Sequence, residues 1–395
     1  MSLHFVDMLY GFATNVTLYT EYFNLGNTTR STGILNTTFS YRTTSETSQD
    51  IHPRLPSEKP KKFKIPPTIL MWNWANPYQM KNSKLPDRCG GCRFTTNKTA
   101  FNESDVVILQ DQSLTLDVIE FPNRLPHQVF VFRCGENPCH TFAINRVNRD
   151  LTMFNELFNM TITYRRDSDV TGPYGCWGTG LIKSTQNLQT TNKTKVAVIV
   201  ASDCKRVGAK FRKIYTDELI KAGLKLDRYG KCFGPRYQGN LRELLTQYKF
   251  YLAFENGIHC RDYITEKFWR NSLAYGLVPV VWGSSKADVV RVAPPGSYVH
   301  VEDFNSPKEV AEYLDYLDKN DTAYQEYFKW RTANKSENCG ISINCDLCNL
   351  VSKGHRGRPM KFTDWWFETE NKECISTNMS EMTNYFNNFY GINER

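Results

Sequence analysis

The strongest constraint on the fold is a strand, a helix and a second strand that follow one another in the second half of the chain. Residues 248–254 form a continuous apolar run, residues 264–275 have helical spacing up to Gly276, and residues 277–282 form another apolar run. Continuous apolar runs are typical of strands that are buried on both faces of a parallel sheet. This order predicts a βαβ unit, and therefore a doubly wound α/β domain.

The same alternation extends on both sides of this unit. An apolar run at 195–201 precedes helical spacing at 209–222, which ends at Gly223, and a short strand at 226–229. A helix is predicted at 307–319, with a further helical stretch up to Trp330. The first half of the chain contributes four more short apolar runs, which predict strands at 68–74, 105–109, 128–132 and 160–164.

Composition suggests where the domains begin and end. The first 66 residues are rich in Thr, Ser and Asn and end in a Pro/Lys-rich stretch, which is typical of a stem. Gly, Thr, Asn and Gln dominate residues 171–193, which is typical of an interdomain linker. The predicted segments are a stem at 1–66, an N-terminal domain at 67–176, a linker at 177–194, a C-terminal domain at 195–350 and a tail at 351–395.

The charge of the chain is mildly positive. Lys and Arg number 49 against 41 Asp and Glu, a formal net charge of +8 that is spread along the chain. Such a surplus suits an anionic small molecule, such as a nucleotide sugar, as readily as it suits nucleic acid. No apolar run approaches the roughly 18 residues that a membrane span requires. The N-terminal 25 residues also lack the pattern of a signal peptide.

Cysteines and glycosylation sequons indicate the secretory pathway. The chain has 12 Cys, an even number that favours disulfides in an oxidising compartment. Asn-X-Ser/Thr occurs ten times, about twice as often as composition alone predicts. The glycosylation candidates are Asn97, Asn102, Asn159, Asn192, Asn320 and Asn334.

One stretch concentrates the polar residues that carry chemistry. Phe254-Glu-Asn-Gly-Ile-His-Cys-Arg-Asp-Tyr-Ile-Thr-Glu-Lys-Phe-Trp269 runs from a buried strand through a polar loop into a predicted helix, where open α/β sheets bind ligands. Lys267 supplies a charge for a diphosphate at the helix N-terminus, and Glu266 suits vicinal sugar hydroxyls. The alternative interpretation is an ordinary capped helix with a solvated Glu266 and Lys267 pair. The common ATPase, dehydrogenase, zinc-protease and esterase motifs do not occur in the sequence.

Residues 248–283 strongly resemble the signature of the α1,3-fucosyltransferases of glycosyltransferase family 10. The resemblance continues at 298–308 and 327–331, and upstream at 160–169 and 173–175. It implies an α/β GT-B fold, with two Rossmann-like doubly wound domains facing a central cleft. In that fold the N-terminal domain helps to hold the acceptor and the C-terminal domain binds GDP-fucose.

The resemblance also implies the reaction. It is an inverting transfer of L-fucose from GDP-β-L-fucose to a GlcNAc hydroxyl of a glycoprotein or oligosaccharide, which forms an α1,3 linkage. One carboxylate must take the proton from the attacking hydroxyl. The family uses the Glu of an E-x-P motif, which Glu136 matches directly after a predicted strand. Asn137 stands where many members carry Ser, and Cys134 and Cys139 flank the motif.

The resemblance assigns donor-site roles to eight further residues. Arg212 and Lys267 match the diphosphate-binding cations, and Glu266 matches the residue that holds the ribose. The other predicted donor-site positions are Asn256, Tyr263, Tyr251, Tyr174 and Ser202. Asp203 replaces the usual Asn and is expected to face away from the diphosphate or to weaken donor affinity. Nucleic acid is not expected as a partner.

No dedicated metal site is predicted, and no cofactor is required, although a divalent cation could stimulate the reaction. Asp167-Ser-Asp169 matches the D-x-D that clasps a metal ion in another transferase fold. The resemblance instead favours an ion-pair network of these aspartates with Arg165 and Arg166.

The cysteines leave two interpretations open from spacing alone. Cys89-x-x-Cys92 and Cys345-x-x-Cys348 could together form a zinc site, or they could form disulfides. The resemblance implies disulfides that tie the N-terminal pair to the C-terminal pair. Cys204 and Cys232 are predicted to form another bridge.

Two other functions remain as alternatives: a catalytically inactive secreted glycan-binding protein of the same fold, and a GT-B transferase with another linkage. The resemblance implies residence in the Golgi lumen, with membrane attachment only through a segment absent from this chain. Human-type members of the family carry a Trp-x-Trp-Pro-Phe-Gly turn after the first strand, where residues 72–78 read Trp-Asn-Trp-Ala-Asn-Pro-Tyr. The acceptor therefore stays open between core GlcNAc, LacNAc and LacdiNAc.

Overall fold

The strands in the described part of the chain form two sheets. The computed structural model describes residues 66–73, 83–111, 124–138, 140–141, 154–204, 207–333, 342–358 and 360–367, together with residues 374, 383, 384 and 387. These residues belong to one compact unit that spans residues 56–395. The predicted stem, apart from Pro66, lies outside the described residues.

The first sheet has seven strands in the order β2-β3-β1-β4-β5-β6-β7. Its neighbouring strands are parallel except for the β2 and β3 pair, which is antiparallel. The order reverses between β1 and β4, so the sheet is doubly wound. The strands are β1 Thr68–Met71, β2 Ser83–Lys84, β3 Arg93–Thr95, β4 Val106–Gln110, β5 Val129–Cys134, β6 Met160–Thr163 and β7 Val170–Thr171.

The second sheet has five parallel strands in the order β12-β11-β10-β8-β9. The chain moves outwards from β8 to β9 and then returns to the other side of β8 with β10. Such a reversal opens a crevice at the carboxyl ends of β8 and β10, where α/β proteins bind ligands. The strands are β8 Lys195–Val200, β9 Leu226–Tyr229, β10 Tyr248–Phe254, β11 Val278–Trp282 and β12 Val299–His300.

Eight α-helices lie in the described part of the chain. The predicted helices at 209–222 and 307–319 are confirmed as α2 and α5. Helix α5 begins where Pro307 follows Ser306, whose hydroxyl accepts the backbone N–H of Glu309 at 3.2 Å. The helices are α1 Thr179–Thr185, α2 Val207–Lys221, α3 Leu241–Leu245, α4 Lys286–Val292, α5 Pro307–Lys319, α6 Asp321–Glu326, α7 Ile343–Ser352 and α8 Phe362–Phe367.

The helix predicted at 264–275 is wrong. This segment forms successive turns and only a short 3₁₀ helix, Leu273–Tyr275. The hydroxyl of Ser272 donates to the carbonyl of Lys267 at 2.6 Å, a carbonyl that an α-helix would pair with the N–H of Asn271. The N–H of Asn271 bonds the carbonyl of Glu266 instead, at 2.8 Å. The segment therefore has wider turns than an α-helix, and the sequence spacing could not reveal this.

The predicted linker at 177–194 contains helix α1. Its Ile182 is buried in a core cluster that also contains Tyr251 and Trp330, so this helix packs with the second sheet. Gly175, just before α1, is required by packing, because a Cβ there would lie 2.3 Å from Cγ of Trp269.

Helices α7 and α8 cover the first sheet, although they follow the second sheet in sequence. Leu347 and Val351 of α7 pack into the cluster that contains Val131 of β5. The α8 residues Phe362 and Trp366 pack on Phe132 with ring centroids 4.7 and 5.2 Å away. The C-terminal domain was predicted to end at residue 350. In the structure, helices α7 and α8, at and beyond this limit, complete the core of the first sheet.

The three predicted disulfides are confirmed. Cys89 pairs with Cys345 and Cys92 pairs with Cys348, which fastens α7 to the first sheet, and Cys204 pairs with Cys232. A further bridge between Cys260 and Cys374 was not predicted. Spacing could not reveal it, because the two residues are 114 positions apart.

The paired bridges between 89–92 and 345–348 make a prediction about stability. They close the same long loop of 256 residues, so either bridge alone keeps that loop closed. Replacing Cys89 and Cys345 with Ser should lower the free energy of unfolding by about 2 kcal/mol, and removing the second bridge as well should cost about 5 kcal/mol more. Urea denaturation of the two variants measures this difference. Equal losses of unfolding free energy at the two steps would contradict the explanation that both bridges close the same loop.

Candidate active site

The two sheets meet through loops at their carboxyl ends. Glu136 follows β5, and its Oε2 accepts the hydroxyl of Tyr263 at 3.0 Å and the side-chain amide of Asn256 at 3.4 Å. Asn137 adds a bond from its side-chain amide to Oδ1 of Asn256 at 3.0 Å. The predicted catalytic residue thus lies against two of the predicted donor-site residues, which are more than a hundred positions away in sequence.

Two glycines allow the backbones to approach this closely. A Cβ at Gly257 would lie 2.9 Å from the side-chain nitrogen of Asn137. A Cβ at Gly208, in the first turn of α2, would lie 2.3 Å from the carbonyl oxygen of Asn256. The loop after β10 is therefore packed between the loop that follows β5 and helix α2.

The loop after β10 is held in a strained conformation. His259 and Asp262 have φ angles of 51° and 57°, which non-glycine residues rarely adopt. Nε2 of His259 lies 2.7 Å from Oε1 of Glu302, and Nε of Arg166 donates to Oδ1 of Asp262 at 2.9 Å. The Cys260–Cys374 bridge fixes the loop from a third direction. These contacts hold Tyr263 in position beside Glu136.

The environment of Glu136 keeps its carboxyl group ionised. Burial raises the pKa of Glu136, but a hydrogen bond and charge from His140, the charge of Lys267 and the hydrogen bond from Tyr263 outweigh it and lower the pKa to about 2. Nδ1 of His140 lies 3.5 Å from Oε2 of Glu136. Burial and the charge of Glu136 raise the pKa of Tyr263, so Tyr263 remains a neutral phenol that donates to the carboxylate.

Lys267 lies among three acceptors on the side of the second sheet. Its Nζ is 2.8 Å from Oγ1 of Thr265, 3.0 Å from Oε2 of Glu255 and 3.2 Å from Oε1 of Glu266. Burial lowers the pKa of Lys267, but the charges of Glu255 and Glu266 outweigh burial and raise it above its usual range. Lys267 is therefore a cation throughout the physiological pH range.

Arg212 lies at the point where the strand order reverses. It is buried on α2 and donates to the carbonyl oxygen of Phe254 at 3.1 Å and to that of Asp203 at 2.6 Å. Phe254 is the last residue of β10 and Asp203 follows β8, so the guanidinium joins the carboxyl ends of the two central strands. Burial lowers the pKa of Arg212. The structure thus places the second predicted cation at the edge of the crevice.

The remaining predicted donor-site residues occupy different surroundings. The hydroxyl of Tyr174 donates to the carbonyl oxygen of Gly135, one residue before Glu136. Ser202 is exposed just after β8. Tyr251 is fully buried in the core of the second sheet, where its hydroxyl accepts from Asn271 at 3.3 Å. Tyr174 therefore lies beside the cluster around Glu136, and Tyr251 lies inside the core.

Three residues of this site were not given a role from the sequence. Asn137 and His140 lie in the quoted E-x-P region, and Glu255 directly follows the apolar run of β10. Asn137 and His140 are close to Glu136 in sequence, and this closeness could have indicated them. Glu255 lies in the same polar stretch as Lys267. Their burial and hydrogen bonds, however, depend on contacts between loops that are distant in sequence.

The aspartates of Asp167-Ser-Asp169 serve structural contacts. Nε of Arg165 donates to Oδ1 of Asp167 at 2.8 Å, and Oδ2 of Asp169 accepts the N–H of Thr161 at 2.9 Å. Arg166 pairs with Asp262 rather than with these aspartates. The ion-pair interpretation is thus confirmed for Asp167 with Arg165 and wrong for Arg166. Within the described residues no cluster of three His, Cys, Asp or Glu side chains could hold a metal ion.

The sequons differ in exposure. Asn97, Asn102 and Asn192 are exposed, and Asn334 lies outside the described residues. Asn320 is partly buried and caps α6 by accepting the N–H of Ala323 at 3.0 Å. Asn159 is buried, and its side-chain oxygen accepts the N–H of Phe130 at 3.0 Å, so the position does not suit a glycan. No helix in the described ranges is long and apolar enough to cross a membrane.

Taken together, the geometry defines a class of protein. A carboxylate after a strand of one doubly wound sheet lies across from two cations at the strand reversal of another, an arrangement suited to group transfer from a phosphate-bearing donor. The model "Fucosyltransferase, N-terminal" matches residues 64–175, and the model "Glycosyltransferase family 10 (fucosyltransferase) C-term" matches residues 190–366. The chain belongs to glycosyltransferase family 10, the fucosyltransferases. The two facing doubly wound sheets agree with the predicted GT-B fold class.

Curated relatives support the same conclusion. The chain is 34% identical over 341 residues to 4-galactosyl-N-acetylglucosaminide 3-alpha-L-fucosyltransferase FUT6 of Homo sapiens, with 83% of this chain and 91% of that protein covered. It is 36% identical over 310 residues to 4-galactosyl-N-acetylglucosaminide 3-alpha-L-fucosyltransferase 9 of Bos taurus, with 76% and 82% covered. A crystal structure of an alpha1,3-fucosyltransferase with GDP matches with a TM-score of 0.48 and 21% identity, covering 77% of this chain and 96% of that one.

The lowered pKa of Glu136 predicts how its contribution to stability depends on pH. The folded pKa is about 2, and a glutamate in an unfolded chain has a pKa of about 4.3. Ionised Glu136 therefore contributes stability above the unfolded pKa and loses it as the pH falls towards 2. Glu136→Gln lacks this titration. Denaturation of both proteins between about pH 6 and about pH 2 should show their stability difference shifting against the wild type as the pH falls, and a constant difference would contradict the assignment.

Proposed function

We propose that this chain transfers L-fucose from GDP-β-L-fucose to a GlcNAc hydroxyl of a glycan and forms an α1,3 linkage. Membership of glycosyltransferase family 10 and the names of the relatives support the donor sugar and the linkage. The single observation that carries the mechanism is the Glu136 carboxylate, which lies beside the donor-side residues Tyr263 and Asn256. One ionised carboxylate in this place can deprotonate an acceptor hydroxyl.

The reaction proceeds as a single displacement with inversion. The acceptor oxygen forms a bond to the anomeric carbon of fucose while the bond from that carbon to the β-phosphate oxygen breaks. Its electron pair leaves with GDP, and the acceptor proton passes to Glu136. Lys267 and Arg212 stabilise the charge that builds on the diphosphate, with no metal ion assigned to this role.

We propose Glu266 as the residue that binds the ribose of the donor, and Asn256 and Tyr263 as residues that line the donor site and orient Glu136. Ser202 and Tyr174 are proposed to lie at the margins of the same site. Tyr251, which is buried behind this surface, would act by supporting the segment that carries Asn271.

We further propose that the acceptor is a glycoprotein or an oligosaccharide that bears GlcNAc, and that the protein acts as a glycoprotein in the Golgi lumen. The disulfides fit an oxidising compartment. The exposed Asn97, Asn102 and Asn192 are the glycosylation sites that we favour. Incubation of the protein with GDP-fucose and a panel of core GlcNAc, LacNAc and LacdiNAc acceptors, followed by linkage analysis, tests this function.

Glu136→Gln should abolish transfer while GDP binding remains nearly intact. The amide cannot accept the acceptor proton, and loss of a general base typically lowers the rate by about 10²- to 10⁴-fold. Fucose transfer and the Kd for GDP measure the two effects separately. Glu312→Gln, an exposed carboxylate on α5, is the matched control and should retain full activity. Full activity in Glu136→Gln would remove Glu136 from the mechanism.

Lys267→Ala should weaken donor binding. An ammonium that bonds a diphosphate oxygen contributes about 1.5–3 kcal/mol, so the Kd for GDP should rise by about 10- to 100-fold. Isothermal titration calorimetry with GDP measures this change. Lys308→Ala, which removes an exposed lysine from α5, controls for loss of charge alone. An unchanged Kd in Lys267→Ala would refute the diphosphate assignment.

A further inference from the structure

The ammonium of Lys267 has no free hydrogen-bond donor in the structure. An ammonium carries three N–H groups, and three protein oxygens lie within hydrogen-bond distance of Nζ. They belong to Thr265, Glu255 and Glu266. A phosphate oxygen can bind Lys267 only if one of these oxygens gives way. This inference rests on the proposed function, which places the donor diphosphate at Lys267.

Glu255 is the acceptor that is hardest to displace. Its side chain is 1% exposed, and Oε1 also accepts the backbone N–H of Thr265 at 2.9 Å and the hydroxyl of Thr265 at 2.8 Å. In the described part of the chain, the positively charged nitrogen that lies within 4 Å of this carboxylate is Nζ of Lys267. Separating the two would leave a buried charge without a partner, which costs several kcal/mol.

Glu266 is the acceptor that is easiest to displace. Its side chain is 20% exposed, and its contact with Lys267 is the longest of the three, at 3.2 Å. When Glu266 leaves, water or ligand hydroxyls can solvate its carboxylate, so no buried charge is left unpaired. Thr265 is held in place by its two bonds to Glu255.

We propose that Glu255 is a positioning residue that holds Lys267 in both the empty and the donor-bound protein. Glu266, in contrast, accepts a hydrogen bond from Lys267 only until the donor diphosphate displaces it. The exchange keeps Lys267 paired at every stage. It also frees the Glu266 carboxylate at the moment when the sugar hydroxyls of the donor arrive. Glu266 therefore opposes the binding of a bare diphosphate and favours the binding of a diphosphate that carries a ribose.

Glu255 also keeps Lys267 protonated. The ionisable groups that act on Lys267 include residues on β10 and α2, on its own segment and across the cleft: Glu136, Arg212, Tyr251, Glu255 and Glu266. Burial and the charge of Arg212 lower the pKa of Lys267, and the charge of Glu255 is the largest influence that raises it. Without Glu255, the pKa of Lys267 falls.

Glu266→Gln tests the exchange with two probes, inorganic pyrophosphate and GDP. A neutral amide competes less well for Lys267, so pyrophosphate should bind about three- to tenfold more tightly than it binds the wild type. GDP should bind no more tightly, because the variant loses the carboxylate that accepts the ribose hydroxyls. Calorimetry gives both constants, with Glu312→Gln as the matched control. Unchanged or weaker pyrophosphate binding in Glu266→Gln would overturn the exchange.

Glu255→Gln tests the positioning role through a pH profile. Between about pH 7 and about pH 9 Lys267 of the wild type stays protonated, so titration of this residue should not lower the affinity for GDP. In Glu255→Gln the affinity should fall progressively below that of the wild type as the pH rises, since the pKa of Lys267 is lower without the charge of Glu255. Glu255→Asp retains the charge and should restore the wild-type profile. A loss that is the same at every pH would show a merely structural effect and overturn the proposal.

Different results would refute the proposed function and the positioning role of Glu255. Absence of any GDP binding to the folded wild-type protein would refute the proposed function. Binding of GDP to the wild type, combined with a flat pH profile in Glu255→Gln, would leave that function standing and refute the positioning role alone. Should Glu255→Gln fail to fold, the profile of Glu255→Asp decides: an affinity that falls at high pH there contradicts the role of the charge.

Discussion

Hydrogen bonds between the loops after β5 and β10 are the interaction on which the site depends. Glu136 and Asn137 from the first sheet bond Tyr263 and Asn256 from the second, so the carboxyl ends of both sheets share one polar cluster. The close approach requires a residue without a side chain at Gly257. Every role proposed for the donor and acceptor sides follows from this contact, because neither sheet alone brings the carboxylate and the cations together.

Buried charge in this cluster has to be paired, and the pairing determines the chemistry. Glu136 is stabilised as an anion by donors from both sheets, whereas Lys267 is stabilised as a cation by two carboxylates. The donor-side carboxylates would repel a diphosphate if Lys267 and Arg212 did not offset them. A transferase without an assigned metal ion can in this way hold both a base and an anion-binding site within one small crevice.

Sequence patterns predicted eight of the twelve described strands and the helices α2 and α5, because apolar periodicity and caps are local properties. The strands β2, β3, β7 and β12, of two or three residues each, were not predicted. The patterns failed at 264–275, where the hydroxyl of Ser272 takes a carbonyl that a helix would use. The role proposed for Glu136 came from the E-x-P resemblance, and the structure places this residue beside Tyr263 and Asn256. The role of Glu255 was missed, because a sequence does not show that a carboxylate is buried beneath a lysine. The Cys260–Cys374 bridge was missed because nothing local links its two residues.

The return of α7 and α8 to the first sheet has a consequence for the order of folding. Leu347, Phe362 and Trp366 belong to the cores that cover the first sheet, yet they are synthesised after the twelve strands that the structure describes. During synthesis the first sheet therefore lacks part of its covering core until helices α7 and α8 have been made. Folding of the sheet that carries Glu136 is thereby coupled to synthesis of residues 343–367, and a chain that ended before them would leave Glu136 on an unfinished scaffold.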